Sequence, residues 1–142
     1  MVEFKSFQVK SEKEFQLIRI TDEFKKFVAD SGVQNGFAMV VTAHTTTGIM
    51  VNEDLDCLAV DIEETLDRLV PADMPYAHSH FLPTYGATGG NAPGHLKSML
   101  TGNHCLFPIK DGELILGAAQ EIFFAEYDGP QLRKMTFEAV GE

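Results

Sequence analysis

The stretch Gly36-Phe-Ala-Met-Val-Val-Thr-Ala43 constrains this chain more than any other. It is apolar without a break, carries β-branched residues, and falls far short of the roughly 18 residues a membrane helix needs. A half-exposed strand would alternate polar and apolar positions, so this one belongs in the middle of a sheet. Its neighbours must come from elsewhere in the chain. The C-terminal third supplies candidates: Cys105 to Ile109, Glu113 to Gly117, Ala119 to Tyr127 and Leu132 to Val140 all read as strands. Asp111-Gly112 between the first two is a two-residue hairpin turn. Near the N-terminus, Phe4 to Val9 and Phe15 to Ile20 flank a charged turn and read as an antiparallel hairpin.

Helices are signalled separately. Thr21 reads as an N-cap with Asp22 and Glu23 in the first turn, Phe24, Phe27 and Val28 at helical spacing, and Gly32 as the stop. Leu55, Leu58, Ala59, Ile62, Leu66, Leu69 and Val70 form an apolar stripe on a helix that Pro71 ends. Asn91 reads as the cap of a short helix over Ala92 to Leu100, closed by Gly102. Strands and helices do not alternate, which predicts one α+β domain over residues 1–142, a mostly antiparallel sheet packed with two to three helices. Between Pro71 and Asn91 no regular pattern holds, and a loop of that length inside a domain is commonly functional.

Composition narrows the partners. Asp and Glu number 21 against 11 Lys and Arg, a formal net charge of −10. That excludes nucleic-acid binding through the phosphate backbone, while leaving room for a small phosphorylated molecule in a local pocket. No apolar run suits a membrane span and no basic-then-apolar leader opens the chain, so a soluble, cytoplasmic protein is expected. The two cysteines, Cys57 and Cys105, sit among apolar residues and are expected to be buried, reduced thiols.

Histidine carries the chemistry. Three of the five, His44, His78 and His95, stand where regular elements meet irregular backbone. Neutral imidazole is the commonest side-chain metal ligand, and three can leave a coordination position open to water. Their spacing matches no local metal motif, so scattered surface or capping histidines are the other reading; His80 and His104 are read as non-ligands. Glu53, within Asn52-Glu53-Asp54-Leu55-Asp56, is either part of an acidic helix start or a general base. Gly86-Ala-Thr-Gly-Gly-Asn-Ala-Pro-Gly94 leads into a helix N-terminus, where Gly90, Asn91 and, one turn on, Lys97 could meet an anion, or else the loop closes over a site.

Taken together, His44-Thr-Thr-Thr-Gly-Ile49, Val51-Asn-Glu-Asp-Leu-Asp56, Val70-Pro71, Tyr76-Ala-His78, Asn91-Ala-Pro-Gly-His-Leu96, Gly112, Gly117-Ala-Ala-Gln120 and Glu126-Tyr-Asp-Gly-Pro130 resemble the YjbQ-like family over essentially the whole chain. Members are named secondary thiamine-phosphate synthase. The resemblance implies a compact α+β subunit in a homotrimer, with His44, His78 and His95 converging on one metal, zinc first and magnesium or manganese after it. It also implies that Glu53, Asp56 and Gln120 stand beside that site. The activity implied, primary or secondary, joins a pyrimidine diphosphate to a thiazole phosphate with loss of diphosphate. A metal-assisted hydrolase and a non-catalytic trimeric metal- or small-ligand-binding protein are the alternatives.

The chain departs from the family pattern in places. His78-Ser79-His80 replaces a usual His-Asp, so a carboxylate behind the histidine is missing or comes from elsewhere. Ala118-Ala119 replaces a Thr-Trp pair, which removes a stacking surface for an aromatic substrate. Arg133 is displaced from the usual basic position after Asp-Gly-Pro.

Overall fold

The computed structural model describes residues 1–80 and 90–142. Among the described residues eight strands form two sheets. The larger has the order β1 (Val2–Lys10), β8 (Leu132–Gly141), β3 (Gly36–Thr42), β5 (His104–Lys110) and β6 (Glu113–Leu114); the smaller has β2 (Gln16–Arg19), β7 (Glu121–Glu126) and β4 (Thr47–Asn52). Every pairing is antiparallel. The helices are α1 (Thr21–Ser31), α2 (Asp56–Leu69), the single turn α3 (Ala77–His80) and α4 (Ala92–Thr101). None is long and apolar enough to cross a membrane. The α+β class and the mostly antiparallel sheets are as the pattern of elements predicts.

The core lies between the sheets. Ala38 and Val40, Phe107 and Ile109, and Met135, Phe137 and Ala139 line the inner face of the large sheet. They meet Ile49, Ile122 and Phe124 from the small one, and α1 adds Phe24, Phe27 and Val28. The small sheet is covered again on its far side, where Ile62 and Leu66 of α2 pack on Leu17, Ala125 and Tyr127. Strand β7 is therefore buried on both faces. The apolar run of β3 is central, between β8 and β5, as its composition demands. Its outer face is less covered than expected, and Phe37 is 38% exposed.

Several local expectations change. The two N-terminal strands do not form a hairpin: β1 pairs with β8 and β2 with β7, so the chain switches sheets between them. Thr21 begins α1 but does not cap it; its hydroxyl accepts from Ile122 N–H at 2.9 Å, tying the helix to β7. Strand β4 is additional to those read from the sequence. Of the α2 stripe, Leu55 and Leu69 are exposed, because the helix covers only a narrow three-stranded sheet. Cys57 is exposed and only Cys105 is partly buried, its thiol pushed up to about 12 by burial.

One polar cluster interrupts the apolar interior. Glu126 ends β7 on the inner face with no solvent exposure, and Arg133 starts β8 at 4%. The guanidinium grips the carboxylate with two bonds, Nε to Oε1 at 2.8 Å and Nη2 to Oε2 at 2.6 Å. Ser11 Oγ donates to Oε1 at 2.6 Å, Asp128 N–H to Oε2 at 3.0 Å, and Arg133 Nη2 to Thr46 Oγ1 at 2.8 Å. Arg133 is thus an interior charge, held by Glu126 and Thr46. A Cβ on Gly129 would collide with the carbonyl oxygen of Lys13 and with Ser11 Oγ, so only glycine lets this turn close over the cluster.

Burial works to raise the Glu126 pKa, but the bonds from Arg133 and Ser11 outweigh it and hold the carboxyl below its usual value. A carboxyl depressed in the folded state stabilises fully above its unfolded pKa and less as acid protonates it. Stability should therefore fall on acidification below about pH 4.5, with Glu126 as a contributor. Glu126→Gln strands the Arg133 charge and should cost about 3–5 kcal/mol in urea unfolding at neutral pH. A loss below about 1 kcal/mol would show that the pair is not buried as described.

Candidate functional site

The end of β7 and the start of α4 bring polar groups together. Asp128 follows β7 directly, and its carboxylate Oδ2 accepts from Asn91 Nδ2 at 3.1 Å. A carboxylate can only accept, so Asn91 must present its amide nitrogen there and its oxygen to the other side. That oxygen meets His78 Nε2 at 2.9 Å. His78 Nε2 is then the protonated nitrogen, and Nδ1 carries the lone pair. Within this chain a carboxylate reaches His78 at one remove: Asp128 bonds Asn91, and Asn91 bonds the imidazole. This also explains why Asn91 makes no capping bond to its helix.

His95, in the first turn of α4, faces His78 edge to face with ring centroids 5.2 Å apart. A cavity of about 370 Å³ opens beside the pair, walled by Tyr76, Ala92 and Leu96. On the other side of Asn91 and Asp128 lies a second, of about 410 Å³. Glu14, Glu63, Asp67 and Asp128 give it a negative lining, and its one lysine, Lys97, already donates to Asp67 at 2.6 Å. Phe15 stacks on Tyr127 at its wall, with centroids 6.0 Å apart.

His44 sits differently. Its Nε2 accepts the backbone N–H of Lys134 at 2.8 Å. Partial burial lowers its pKa, and the nearby Arg133 charge lowers it further. The turn it begins reaches α4 two residues later: a Cβ on Gly94 would stand 3.4 Å from Thr46 Cβ and 3.0 Å from Tyr127 O.

Among the described residues, no three His, Cys, Asp or Glu side chains cluster closely enough to hold a metal ion. His78 and His95 adjoin, while His44 is engaged by Lys134. Glu53, Asp56 and Gln120 are not brought to the histidines within this chain. The β4–β7 register sets Thr47 opposite Glu126 but Asn52 opposite Glu121. Gln120 therefore lies at the start and Asp128 beyond the end of a six-residue strand, a separation of roughly 20 Å. Gln120 Oε1 accepts from Gly117 N–H at 2.8 Å, and Glu53 and Asp56 edge a small cavity of about 120 Å³.

The expected anion cradle at α4 is weak where it can be seen. Pro93 has no N–H, and those of Gly94 and His95 already bond Asn91 O at 3.0 and 3.3 Å. Gly90 has open space where a side chain would stand. Residues 86–89 of the glycine-rich stretch lie outside the described residues. Asp128 and Tyr76 are the site members that sequence reasoning assigned no role; both stand inside motifs quoted for the family resemblance.

The chain as a whole is similar to known proteins. The profile described as UPF0047 protein YjbQ-like matches residues 5–142. A UPF0047 protein of Methanocaldococcus jannaschii is 35% identical over 96% of this chain and 93% of its own length. YugU of Bacillus subtilis, also a UPF0047 protein, is 34% identical over 96% and 98%. Among solved structures, a YbjQ-like protein from Sulfolobus solfataricus superposes with a TM-score of 0.92 at 31% identity, covering 100% of this chain and 99% of that one. A YjbQ/UPF0047 protein from Clostridium acetobutylicum does so with 0.85 at 36%, covering 96% and 99%. Matched along nearly its whole length in both sequence and fold, the chain belongs to the YjbQ-like UPF0047 family.

Proposed function

We propose that this chain is a small-molecule enzyme whose chemistry is proton transfer at Nδ1 of His78, in a reaction of the thiamine-phosphate-synthase type. The observation that carries the first half is the Asp128–Asn91–His78 chain of hydrogen bonds. A carboxylate acting through an amide orients the imidazole and fixes which nitrogen is basic, at the mouth of a cavity large enough for a small ring. His95 limits the ring's freedom from the other side. The second half rests on the family resemblance. In that reaction the thiazole ring nitrogen forms a C–N bond to the pyrimidine's methylene carbon as the C–O bond from that carbon to diphosphate breaks; His78 Nδ1 takes a proton from the pyrimidine amino group as diphosphate leaves and returns it once the C–N bond has formed.

The negative cavity beside Lys97 suits an uncharged or cationic part of the substrate better than its phosphates. Lys97 would have to exchange Asp67 for a phosphate oxygen. Zinc held by His78 and His95 would take the same Nδ1 lone pair of His78, so such an ion is the alternative to proton transfer at that atom; the described residues do not form a three-histidine set. No step above depends on it.

A homotrimer is the second part of the proposal. Phe37 and Leu106 leave an apolar outer face on the large sheet, and Ile115 and Leu132 are exposed beyond it. Among the described residues nothing covers this surface, and patches of this kind mark association.

Two measurements test these readings. Wild type should release diphosphate from the pyrimidine diphosphate and thiazole phosphate above background with zinc, manganese or magnesium. His78→Ala should lower the rate by about 100-fold, while the exposed His104→Ala should not. No release with any of the three metals would remove the synthase reading and leave the hydrolase and the binding protein. Sedimentation equilibrium at micromolar concentration should give three times the subunit mass, and a monomer would end the trimer proposal.

A further inference from the structure

The ladder between β3 and β8 runs as far as Thr42 opposite Met135. Beyond it, Ala43 N–H still donates to Lys134 O at 3.1 Å. The next donor in line, Lys134 N–H, meets no carbonyl. It meets the imidazole of His44, with Nε2 at 2.8 Å. The side chain thus takes the place of a backbone acceptor and extends the sheet by one bond.

That substitution decides where the proton of His44 sits. A backbone N–H can only donate, so Nε2 must hold the lone pair and neutral His44 must be protonated at Nδ1. This is the reverse of His78, whose Nε2 is the donor, and the reverse of the form that free imidazole side chains favour. Among the described residues Nδ1 of His44 makes no hydrogen bond. Thr46, two residues on, packs against Gly94 of α4.

We infer that Lys134 locks His44 as the Nδ1–H tautomer, so that His44 presents a hydrogen-bond donor and does not serve as a third ligand to a metal shared with His78 and His95. Ligation through Nε2 would take the lone pair that already closes the ladder. Ligation through Nδ1 would drive the proton to Nε2, where it would confront the Lys134 N–H, donor against donor, at 2.8 Å. Either route breaks the end of the β3–β8 pairing. The metal clause rests on the proposed site; the tautomer does not.

Uniformly ¹⁵N-labelled full-length protein at about pH 8, well above the usual histidine pKa, tests both parts by two-bond ¹H–¹⁵N correlation of the imidazoles. His44→Gln identifies the His44 signals, and its amide oxygen can still accept from Lys134. The expected spectrum shows His44 protonated at Nδ1 and His78 at Nε2. Titration with zinc should then move the ring nitrogens of His78 and His95 and leave those of His44 in place. By the same account His44→Gln should keep zinc affinity within about twofold, while His95→Ala should lower it more than about tenfold. A His44 spectrum with the proton on Nε2 overturns the inference. So does a zinc-induced shift of a His44 nitrogen to the ligated range. Should no zinc bind, an Nδ1–H spectrum still upholds the inference, and only the proposed ion at His78 and His95 is lost.

Discussion

A carboxylate without solvent exposure, gripped by a guanidinium almost as deep, joins a strand of one sheet of this protein to a strand of the other. Apolar contacts hold the sheets together over most of their area, but they are not directional and would tolerate sliding. The Glu126–Arg133 pair is directional. It joins the last residue of β7 to the start of β8, draws in Ser11 from the end of β1, and fixes Thr46 in the turn after β3. Such a pair contributes little net stability relative to an apolar replacement, because both charges lose their water. Its effect is geometric: with all its acceptors met, one arrangement of the four segments satisfies it and its neighbours do not.

The candidate site inherits that geometry. Asp128 follows Glu126 by two residues and lends its own N–H to the same carboxylate. Its side chain points the other way, to Asn91 and then His78. Thr46, held by Arg133, is the surface on which Gly94 and the first turn of α4 rest. The interior ion pair and the histidine site are thus two sides of one turn, and small residues at 94 and 129 are what allow the pieces to approach.

Sequence reasoning reached the parts of this fold that local chemistry controls. The central apolar strand, α2, the Asp111-Gly112 hairpin and the Gly32 stop each follow from a few adjacent residues, and Gly32 and Gly112 take the positive φ that glycine accommodates. Pairings between distant segments were not legible in this way. Nothing near residue 10 indicates that β1 must join the last strand while β2 joins another sheet. Capping side chains misled for a related reason: Thr21 and Asn91 both stand at helix starts, yet each is recruited by a partner far along the chain. The resemblance drew attention to the residues of the site, His78, Asn91 and His95 among them. It did not foresee that Asp128 works through Asn91, or that Glu53, Asp56 and Gln120 would lie a strand's length away, since one-dimensional motifs carry no register.

The edge-to-edge pairing of β1 with β8 has a consequence for how the chain comes to be folded at all. Residue 2 lies opposite residue 140, and Gly141 N–H closes on the carbonyl of Met1. During synthesis the first strand emerges long before its partner exists, and β3 waits equally for β8 at its other side. The large sheet cannot assemble until β8 has left the ribosome. Contacts so distant in sequence make for slow closure, with apolar strand edges exposed in the interval. The abundant negative charge of the chain is then useful before folding, keeping nascent copies apart until their own C-terminal strands arrive.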